Sequence, residues 1–322
     1  MLEESPGEYR WGEVPTPEPG PGDVVVRPVA SALNHMDLWL TKGMPKPHLP
    51  HVPGCDVAGI IDTAGPEVEG ISEGDEVVVN PAVSCRACAV CRSGESPLCR
   101  QFQIVGEHRP GGHGEAVVIP AANVVPKPTG RSWEECAAYP LAYLTAWRML
   151  RRARLQAGHT VLVVGVGGGV SSAALVLARH AGATVLATSR DEAKRKRAVE
   201  LGAADAFPSD GDWPVRADIV IENVGPATWD RSLKALAPGG RLVTCGGTSG
   251  QTVEISLPRL FFKQHEIIGS TMGSYAELDT VTRLVADGLA VVVDEVLPLD
   301  RYPDALNLLR SGDQMGKIVL AH

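Results

Sequence analysis

The chain has 322 residues, of which 44% are hydrophobic and 21% charged, and its formal net charge is -8 at pH 7. This balance is typical of a folded protein with two domains, excludes a disordered or fibrous chain, and disfavours nucleic acid, because an acidic surface repels a polyanion. No apolar run approaches the roughly 18 to 20 residues that span a bilayer, and the acidic start is unlike a signal peptide, so we expect no membrane partner and a cytoplasmic location.

Short apolar runs fill the first part of the chain, from Glu13 to about Val125, and turn residues separate them. The runs are VVVRPVA, VAGIID, DEVVV and EAVVI. This spacing predicts an antiparallel, barrel-like first domain without long helices.

Four of the seven cysteines fall within fifteen residues of this part. Cys85, Cys88, Cys91 and Cys99 form the frame C-x2-C-x2-C-x7-C, whose thiolates can converge on one tetrahedral zinc ion. Four thiolates leave zinc no open position for substrate, so the pattern predicts one structural zinc per chain. Disulfides, a redox dithiol and an iron–sulfur cluster are the alternatives.

A helical pattern follows from Trp133 to Leu155, with Pro140 inside it, which predicts a kink or a break between two helices at a domain crossing. Beyond Gly158 the chain alternates between strands and helices. The expected strands are TVLVV, TVLAT, DIVIE, RLVTC and EIIG, and the expected helices are SSAALVLARHAG, DEAKRKRAVELG and ATWDRSLKALAPGG. This alternation predicts a parallel sheet covered by helices, with ligands at the carboxyl ends of its strands. The strand-like runs VVVDEVLPLD and GKIVL near the end of the chain could complete the first domain.

A glycine-rich turn connects the first strand and helix of the alternating part. It comprises Gly165, Gly167, Gly168, Gly169 and Val170, so Val170 stands where the strict G-x-G-x-x-G frame has its last glycine. Glycines let backbone N–H groups approach a pyrophosphate, and the helix behind them supplies partial positive charge. With a second strand about 20 residues further on, the turn predicts dinucleotide binding.

The end of that second strand selects between NAD(H) and NADP(H). An acidic residue there binds the ribose 2′-hydroxyl of NAD, whereas arginine accommodates a 2′-phosphate. This chain has Ser189 and Arg190 at that point and Lys194 one helical turn later, which favours NADP(H). The alternative is that Arg190 and Lys194 belong to a solvated helix face beside two acidic residues and bind no phosphate.

Taken together, these residues resemble the medium-chain dehydrogenase/reductase superfamily, in its zinc alcohol dehydrogenase and quinone oxidoreductase group. The resemblance runs from the PEPGPGDVVV segment through the four cysteines to the terminal GKIVL. It implies an α/β fold: a GroES-like β-barrel catalytic domain over residues 1–142 and 274–322, and a Rossmann doubly wound parallel sheet over residues 143–273. It also implies a homodimer, formed along the last strand of the inserted domain, next to Phe261 and Phe262.

The departure from the alcohol dehydrogenase pattern concerns the catalytic metal. The three ligand positions of that pattern fall here on Asn34, on Cys55 in the triplet Gly-Cys-Asp, and near Leu141. Asparagine and leucine are poor zinc ligands, so a catalytic zinc is not expected from these residues.

Without a Lewis acid, hydride transfer suits acceptors whose negative charge delocalises, such as quinones and α,β-unsaturated carbonyls. The resemblance to the quinone oxidoreductase branch implies NADPH-dependent reduction of such small molecules. Asn34, with Thr145 near the nicotinamide end, supplies candidate polar groups, and His35 is a candidate proton donor. Asn34 could equally cap a local turn.

Two other functions stay open at this point. If His35, Asp37, Cys55 and Asp56 converge, they offer zinc ligands for an alcohol or aldehyde dehydrogenase with a rearranged metal site. The second open function is a protein that binds the cofactor without turnover, like the lens crystallin relatives of the group. It stays open because a fold does not prove a function.

Overall fold

The computed structural model describes residues 1–15 and 18–322. Along the chain the strands are β1 Asp23–Ala32, β2 Asp56–Ala64, β3 Glu76–Val79, β4 Ala82–Val83, β5 Gln103–Ile104, β6 Val117–Pro120, β7 Val124–Pro126, β8 Thr160–Val163, β9 Thr184–Ser189, β10 Asp205–Pro208, β11 Ala217–Glu222, β12 Leu236–Thr244, β13 Glu266–Gly269, β14 Val293–Pro298 and β15 Lys317–Ala321. The helices are α1 His35–Leu40, α2 Ala89–Arg92, α3 Trp133–Ala138, α4 Pro140–Arg152, α5 Gly169–His180, α6 Glu192–Glu200, α7 Trp229–Ala235, α8 Leu257–Lys263, α9 Tyr275–Ala286 and α10 Tyr302–Ser311.

The chain divides into two compact units. The first comprises Met1–Leu141 and Gly273–His322, and the second comprises Ala142–Met272. In the region between residues 133 and 155 the helical pattern breaks at Tyr139, directly before Pro140, as expected from the missing N–H and the fixed φ of proline.

The first unit is built on a seven-stranded sheet in the order β14-β15-β1-β2-β3-β7, with β6 also paired to β1. All its pairs are antiparallel except β14 with β15. Valine and isoleucine side chains from β1, β2, β3 and β6 pack into one buried core. Because β15 pairs with β1, the end of the chain completes this unit, and Lys317 begins the strand that brings it there.

The second unit holds a six-stranded sheet in the order β10-β9-β8-β11-β12-β13, and every pair in it is parallel. The predicted α/β class is therefore confirmed. Buried side chains from β8, β11 and β12 and the tryptophan of α7 form its core. The carboxyl ends of β8, β9, β11 and β12 meet at one edge of the sheet, where a ligand is expected.

Two details of this unit differ from the sequence prediction. The helix expected over ATWDRSLKALAPGG ends at Ala235, and the APGG stretch lies in β12, where Pro238 cannot donate a hydrogen bond and Gly239 has φ +75°. The short edge strand β10 was not predicted, because four residues with only two apolar side chains give no periodic signal.

No helix among the residues 1–15 and 18–322 combines the length and the apolar character needed to cross a bilayer.

Candidate functional site

The cysteine lobe, defined as residues 84–102 of the first unit, brings the four predicted zinc ligands together. The sulfur atoms of Cys85, Cys88, Cys91 and Cys99 all lie within 4.8 Å of one another, and none forms a disulfide. Three of the sulfur–sulfur distances are 3.5, 3.8 and 3.9 Å, which match the roughly 3.8 Å expected for sulfurs at 2.3 Å from a tetrahedral zinc. In the part of the chain that the structure describes, this is the one group of three or more such side chains that could hold a metal ion.

Local contacts in this lobe favour negatively charged sulfurs. The backbone N–H of Cys91 donates to Cys88 Sγ at 3.5 Å, and that of Gln101 donates to Cys99 Sγ at 3.3 Å. Arg86 adopts φ +55° and lies over the ring of Tyr275, 5.5 Å from its centroid. N–H groups directed at sulfur favour thiolates, so the donor set fits a zinc ion.

The glycine-rich turn follows β8 in the second unit. Gly165 has φ +68°, and a Cβ built there would lie 2.9 Å from Val224 Cγ2, so this position requires glycine. Its N–H donates to Thr188 Oγ1 at 3.2 Å, which ties the turn to β9. Gly168 is the N-cap of α5, and no side chain caps that helix end. The turn therefore fits a pyrophosphate, with Gly167, Gly169 and Val170 at the same helix start.

The end of β9 carries the predicted specificity residues. Ser189 is buried, and its hydroxyl accepts a hydrogen bond from the Asp191 N–H at 3.2 Å, while Arg190 is exposed. Lys194 lies in the first turn of α6, and its N–H donates to Asp191. Sequence analysis missed Arg195, whose guanidinium donates to the carbonyls of Ser189 and Arg190 at 2.8 and 3.0 Å and so fixes the backbone that presents them.

A buried polar network, here called the lysine network, occupies the positions where the resemblance places a catalytic metal. It comprises Asn34, Cys55, Asp56, Leu141 and Lys317. The Lys317 ammonium donates to Leu33 O at 2.6 Å, Asn34 Oδ1 at 2.7 Å and Asp56 Oδ2 at 2.8 Å. Its three hydrogens thus have three acceptors. In the ion pair, the Lys317 side chain is 3% exposed and the Asp56 side chain 0%.

Lys317 also determines which way the Asn34 amide points. A lysine only donates and a carboxylate only accepts, so the amide oxygen faces Lys317 and the amide nitrogen faces Asp56 at 2.8 Å. The same nitrogen lies 3.0 Å from Cys55 Sγ and 3.3 Å from Ala32 O. Both amide hydrogens therefore have acceptors within the protein, and donation to a substrate oxygen would require breaking one of these bonds.

The other two positions of the expected metal site, Leu141 and Cys55, also have contacts within the protein. Leu141 donates its backbone N–H to Asp56 Oδ1 at 2.7 Å. The Cys55 side chain is fully buried and packs with Met36 and Leu40. Burial, followed by the charge of Asp56, raises the pKa of the Cys55 thiol well above its ordinary value, so the sulfur is a neutral thiol.

The remaining candidates for a rearranged metal site do not join this network as ligands. Asp37 Oδ2 accepts the Asn34 N–H at 2.8 Å as part of the capping box of α1. His35 is exposed and stacks edge-on against Trp39. Although its surface is exposed, the protein atoms around the ring desolvate it and, with Lys42, lower its pKa, so His35 is neutral at pH 7. Thr145 is buried in α4 of the second unit and donates to Met272 Sδ at 3.9 Å.

Comparisons with known proteins agree with this architecture. Residues 20–129 match the alcohol dehydrogenase GroES-like domain, and residues 169–287 match the zinc-binding dehydrogenase domain. Acryloyl-coenzyme A reductase of Metallosphaera sedula is 31% identical over 97% of this chain and 96% of its own length. A zinc-type alcohol dehydrogenase-like protein of Schizosaccharomyces pombe is 34% identical over 98% and 94%. The crystal structure of an NAD-dependent alcohol dehydrogenase is 43% identical, covers 97% of this chain and 95% of its own, and superposes with a TM-score of 0.93.

The chain belongs to the medium-chain dehydrogenase/reductase superfamily. The resemblance drawn from its motifs is thereby confirmed, as are the GroES-like domain and the Rossmann-type parallel sheet. As a member of this superfamily the chain is an oxidoreductase acting on a small molecule with a nicotinamide cofactor.

Proposed function

We propose that this medium-chain reductase uses NADPH to transfer hydride to an activated alkene or carbonyl, holds one structural zinc in the cysteine lobe, and uses no catalytic zinc. The observation that carries the proposal is the lysine network, in which an ammonium, an amide, a carboxylate and a backbone N–H satisfy one another. A zinc ion there would need deprotonated or neutral donors with free lone pairs, and Lys317 offers none.

The preferred acceptors follow from the missing Lewis acid. A simple ketone concentrates the developing charge on one oxygen, whereas a quinone, an enone or an enoyl thioester delocalises it. Acryloyl-coenzyme A, named in a relative that spans nearly the whole chain, is such a thioester. Enoyl thioesters and enones are therefore the acceptors that we propose first, with quinones as the second class.

The residues of the second unit would bind the cofactor, which supplies the hydride. Backbone N–H groups of the glycine-rich turn and the start of α5 would hold the pyrophosphate. Ser189, Arg190 and Lys194 would bind the 2′-phosphate of NADP(H), with Arg195 fixing the backbone of the first two. Thr145 would line the nicotinamide end.

Asn34 takes a positioning role in this proposal. Its amide joins Lys317 to Asp56 and Cys55, and so keeps the lysine network neutral and closed to cations. The ammonium balances the carboxylate charge, and the attraction between them offsets part of the desolvation penalty of burying both ions.

We also propose a homodimer that forms along β13. This strand is the edge of the six-stranded sheet, and α8 beside it exposes apolar side chains, with Phe261 60% and Phe262 78% exposed. Light scattering should give twice the mass of one chain, and Phe262→Asp should give monomers. Leu98→Asp, at a leucine of the cysteine lobe that is 60% exposed, should leave the dimer intact. A wild-type monomer would overturn the assignment.

The second candidate is a zinc-dependent alcohol dehydrogenase, favoured by the names of two relatives. It requires a second zinc per chain and oxidation of primary or secondary alcohols.

One assay separates the two functions. NADPH oxidation is measured with crotonyl-coenzyme A, methyl vinyl ketone and a benzoquinone, and NAD(P)+ reduction with a series of alcohols, on protein of known zinc content. Turnover of alkenes or quinones at one zinc per chain supports the proposal. Alcohol oxidation with two zinc ions supports the alternative, and binding of NADPH without any turnover would indicate a crystallin-like protein.

A further inference from the structure

Glu222 is the last residue of β11, and neither the sequence motifs nor the lysine network uses it. Its side chain is fully buried at the carboxyl end of this strand, which pairs with β8, the strand before the glycine-rich turn. An acidic side chain is rarely buried without strong partners, because its transfer out of water is costly. The partners of Glu222 therefore indicate what the buried carboxylate does.

The Glu222 carboxylate accepts hydrogen bonds on both of its oxygens. Oε1 accepts the backbone N–H groups of Val224 at 2.7 Å and Gly225 at 3.0 Å. Oε2 accepts the hydroxyl of Thr228 at 2.9 Å and that of Ser232, the first residue at the N-cap of α7 and the second inside this helix. These donors are neutral, so the contacts are directional hydrogen bonds and not ion pairs. One buried side chain thus fixes the loop of residues 223–228 to both β11 and α7.

This loop contacts the glycine-rich turn through Val224. A Cβ built at Gly165 would lie 2.9 Å from Val224 Cγ2, so the valine fills the space beside that glycine. From β9, on the other side of the turn, Thr188 Oγ1 accepts the Gly165 N–H at 3.2 Å. Close packing transmits small displacements, because neighbouring atoms have little free volume into which to relax. The turn is therefore held between β9 and the loop, and its position depends on Val224.

The strand order gives the loop a defined place along a bound dinucleotide. In the sheet, β8 lies between β9 and β11. With the pyrophosphate at the turn after β8 and the adenosine half at the end of β9, the nicotinamide half extends over the ends of β11 and β12. The loop that Glu222 fixes thus lies on the side of the turn that NADPH and NADH occupy alike.

We propose that Glu222 is a positioning residue for cofactor binding. Its carboxylate holds the loop of residues 223–228, so that Val224 keeps Gly165 and the N–H groups of the turn in the conformation that binds a pyrophosphate. Glu222 is fully buried, so it acts through Val224 and not by contact with the cofactor. This role rests on the part of the proposed function that places a nicotinamide dinucleotide at the turn, and it holds for either cofactor and any acceptor.

The test measures the affinities for NADPH and NADH by fluorescence titration, far below the melting temperature of each variant. Glu222→Met has a similar size but accepts no hydrogen bond. We expect it to weaken both cofactors by the same factor of about 10 or more, because binding must then also order the loop. Glu222→Gln retains one acceptor oxygen for the N–H groups of the loop and should restore most of the affinity. Deuterium exchange in the peptide that contains residues 164–170 should rise in Glu222→Met.

A second carboxylate of the same strand provides the matched control. Asp218 accepts the backbone N–H of Thr160 at 2.8 Å, but at the amino end of β11. Asp218→Asn should therefore leave both affinities and the exchange of the turn unchanged. If Glu222→Met does not fold, Val224→Ala takes its place, because it keeps the backbone hydrogen bonds to Glu222, removes the contact with Gly165 and should also weaken both cofactors.

Three results would overturn this role of Glu222. The first is a lower melting temperature of Glu222→Met with unchanged affinities, which would show a purely structural residue. The second is a loss confined to NADPH, which would assign Glu222 to the 2′-phosphate. The third is Val224→Ala with the affinities of the wild type. A wild-type chain that binds neither cofactor would instead show that the proposed function itself is wrong.

Discussion

The cysteine lobe and the lysine network are both clusters of polar side chains in the first unit, yet their chemistry is opposite. In the lobe, four sulfurs converge and N–H groups point at them, so the cluster is complete only with a cation. In the lysine network the cation is a side chain of the chain itself, and every donor has an acceptor. The comparison teaches that two polar clusters of one unit can balance their charges differently, one through four converging sulfurs and the other through a lysine of the chain itself.

Loss of one sulfur ligand should produce the largest effect. Cys99→Ser removes the buried ligand of the lobe, so zinc content should fall from one to none, and the free energy of unfolding should fall by about 5 kcal/mol, because metal binding is coupled to folding. Atomic emission and denaturant unfolding measure both quantities. Cys245→Ser, outside the lobe, should keep the zinc and the hydrogen bond to Asn223 Oδ1. A zinc-free Cys99→Ser protein of unchanged stability would show that the lobe does not depend on its metal.

Removal of the internal cation should have the next largest effect. Lys317→Met leaves the Asp56 carboxylate buried without its counter-charge, which should lower the free energy of unfolding by about 3–5 kcal/mol. Lys234→Met breaks an exposed ion pair with Asp230 and should cost less than about 1 kcal/mol. Adding Asp56→Asn to Lys317→Met should restore part of the loss. If the two lysine variants are equally stable, the network does not hold the pocket as we describe.

The cofactor preference gives a smaller effect that is confined to binding. Arg190→Ala should weaken NADPH about 10–100-fold, the equivalent of one charged hydrogen bond, and leave NADH nearly unchanged. Arg197→Ala, on the helix α6 that follows Arg190 and paired with Glu200 at 2.9 Å, should change neither affinity. Fluorescence titration measures both, and equal losses for the two cofactors would contradict the 2′-phosphate assignment.

The smallest effect concerns the pH dependence of stability. Burial raises the pKa of Glu107, so the folded chain holds a proton that the unfolded chain releases at lower pH. Stability from this group is therefore full below the unfolded pKa and declines as the pH rises through the folded value. Thermal melts across this range should show the decline in wild type, and Glu107→Gln should remove it. An identical pH profile for the variant would show that Glu107 carries no such proton.

Local patterns made part of this molecule predictable. The cysteine frame spans fifteen residues, and the glycine-rich turn lies between its own strand and helix, so spacing alone located both. The alternation of strands and helices likewise predicted the parallel sheet, but it did not predict the short strand β10 or the end of helix α7.

The lysine network could not be predicted in the same way. Lys317 lies 283 residues from Asn34 and 261 from Asp56, and only the pairing of β15 with β1 brings them together. The sequence therefore showed that Asn34 is a poor metal ligand, but not that Lys317 lies beside it.

The most direct test is the location of zinc in crystals of the protein with its cofactor, by anomalous scattering at the zinc edge. One peak per chain among the four sulfurs of the cysteine lobe, and Lys317 Nζ between Asn34 and Asp56, is the predicted result. A second peak, liganded by Cys55 or Asp56, would contradict reduction without a catalytic metal.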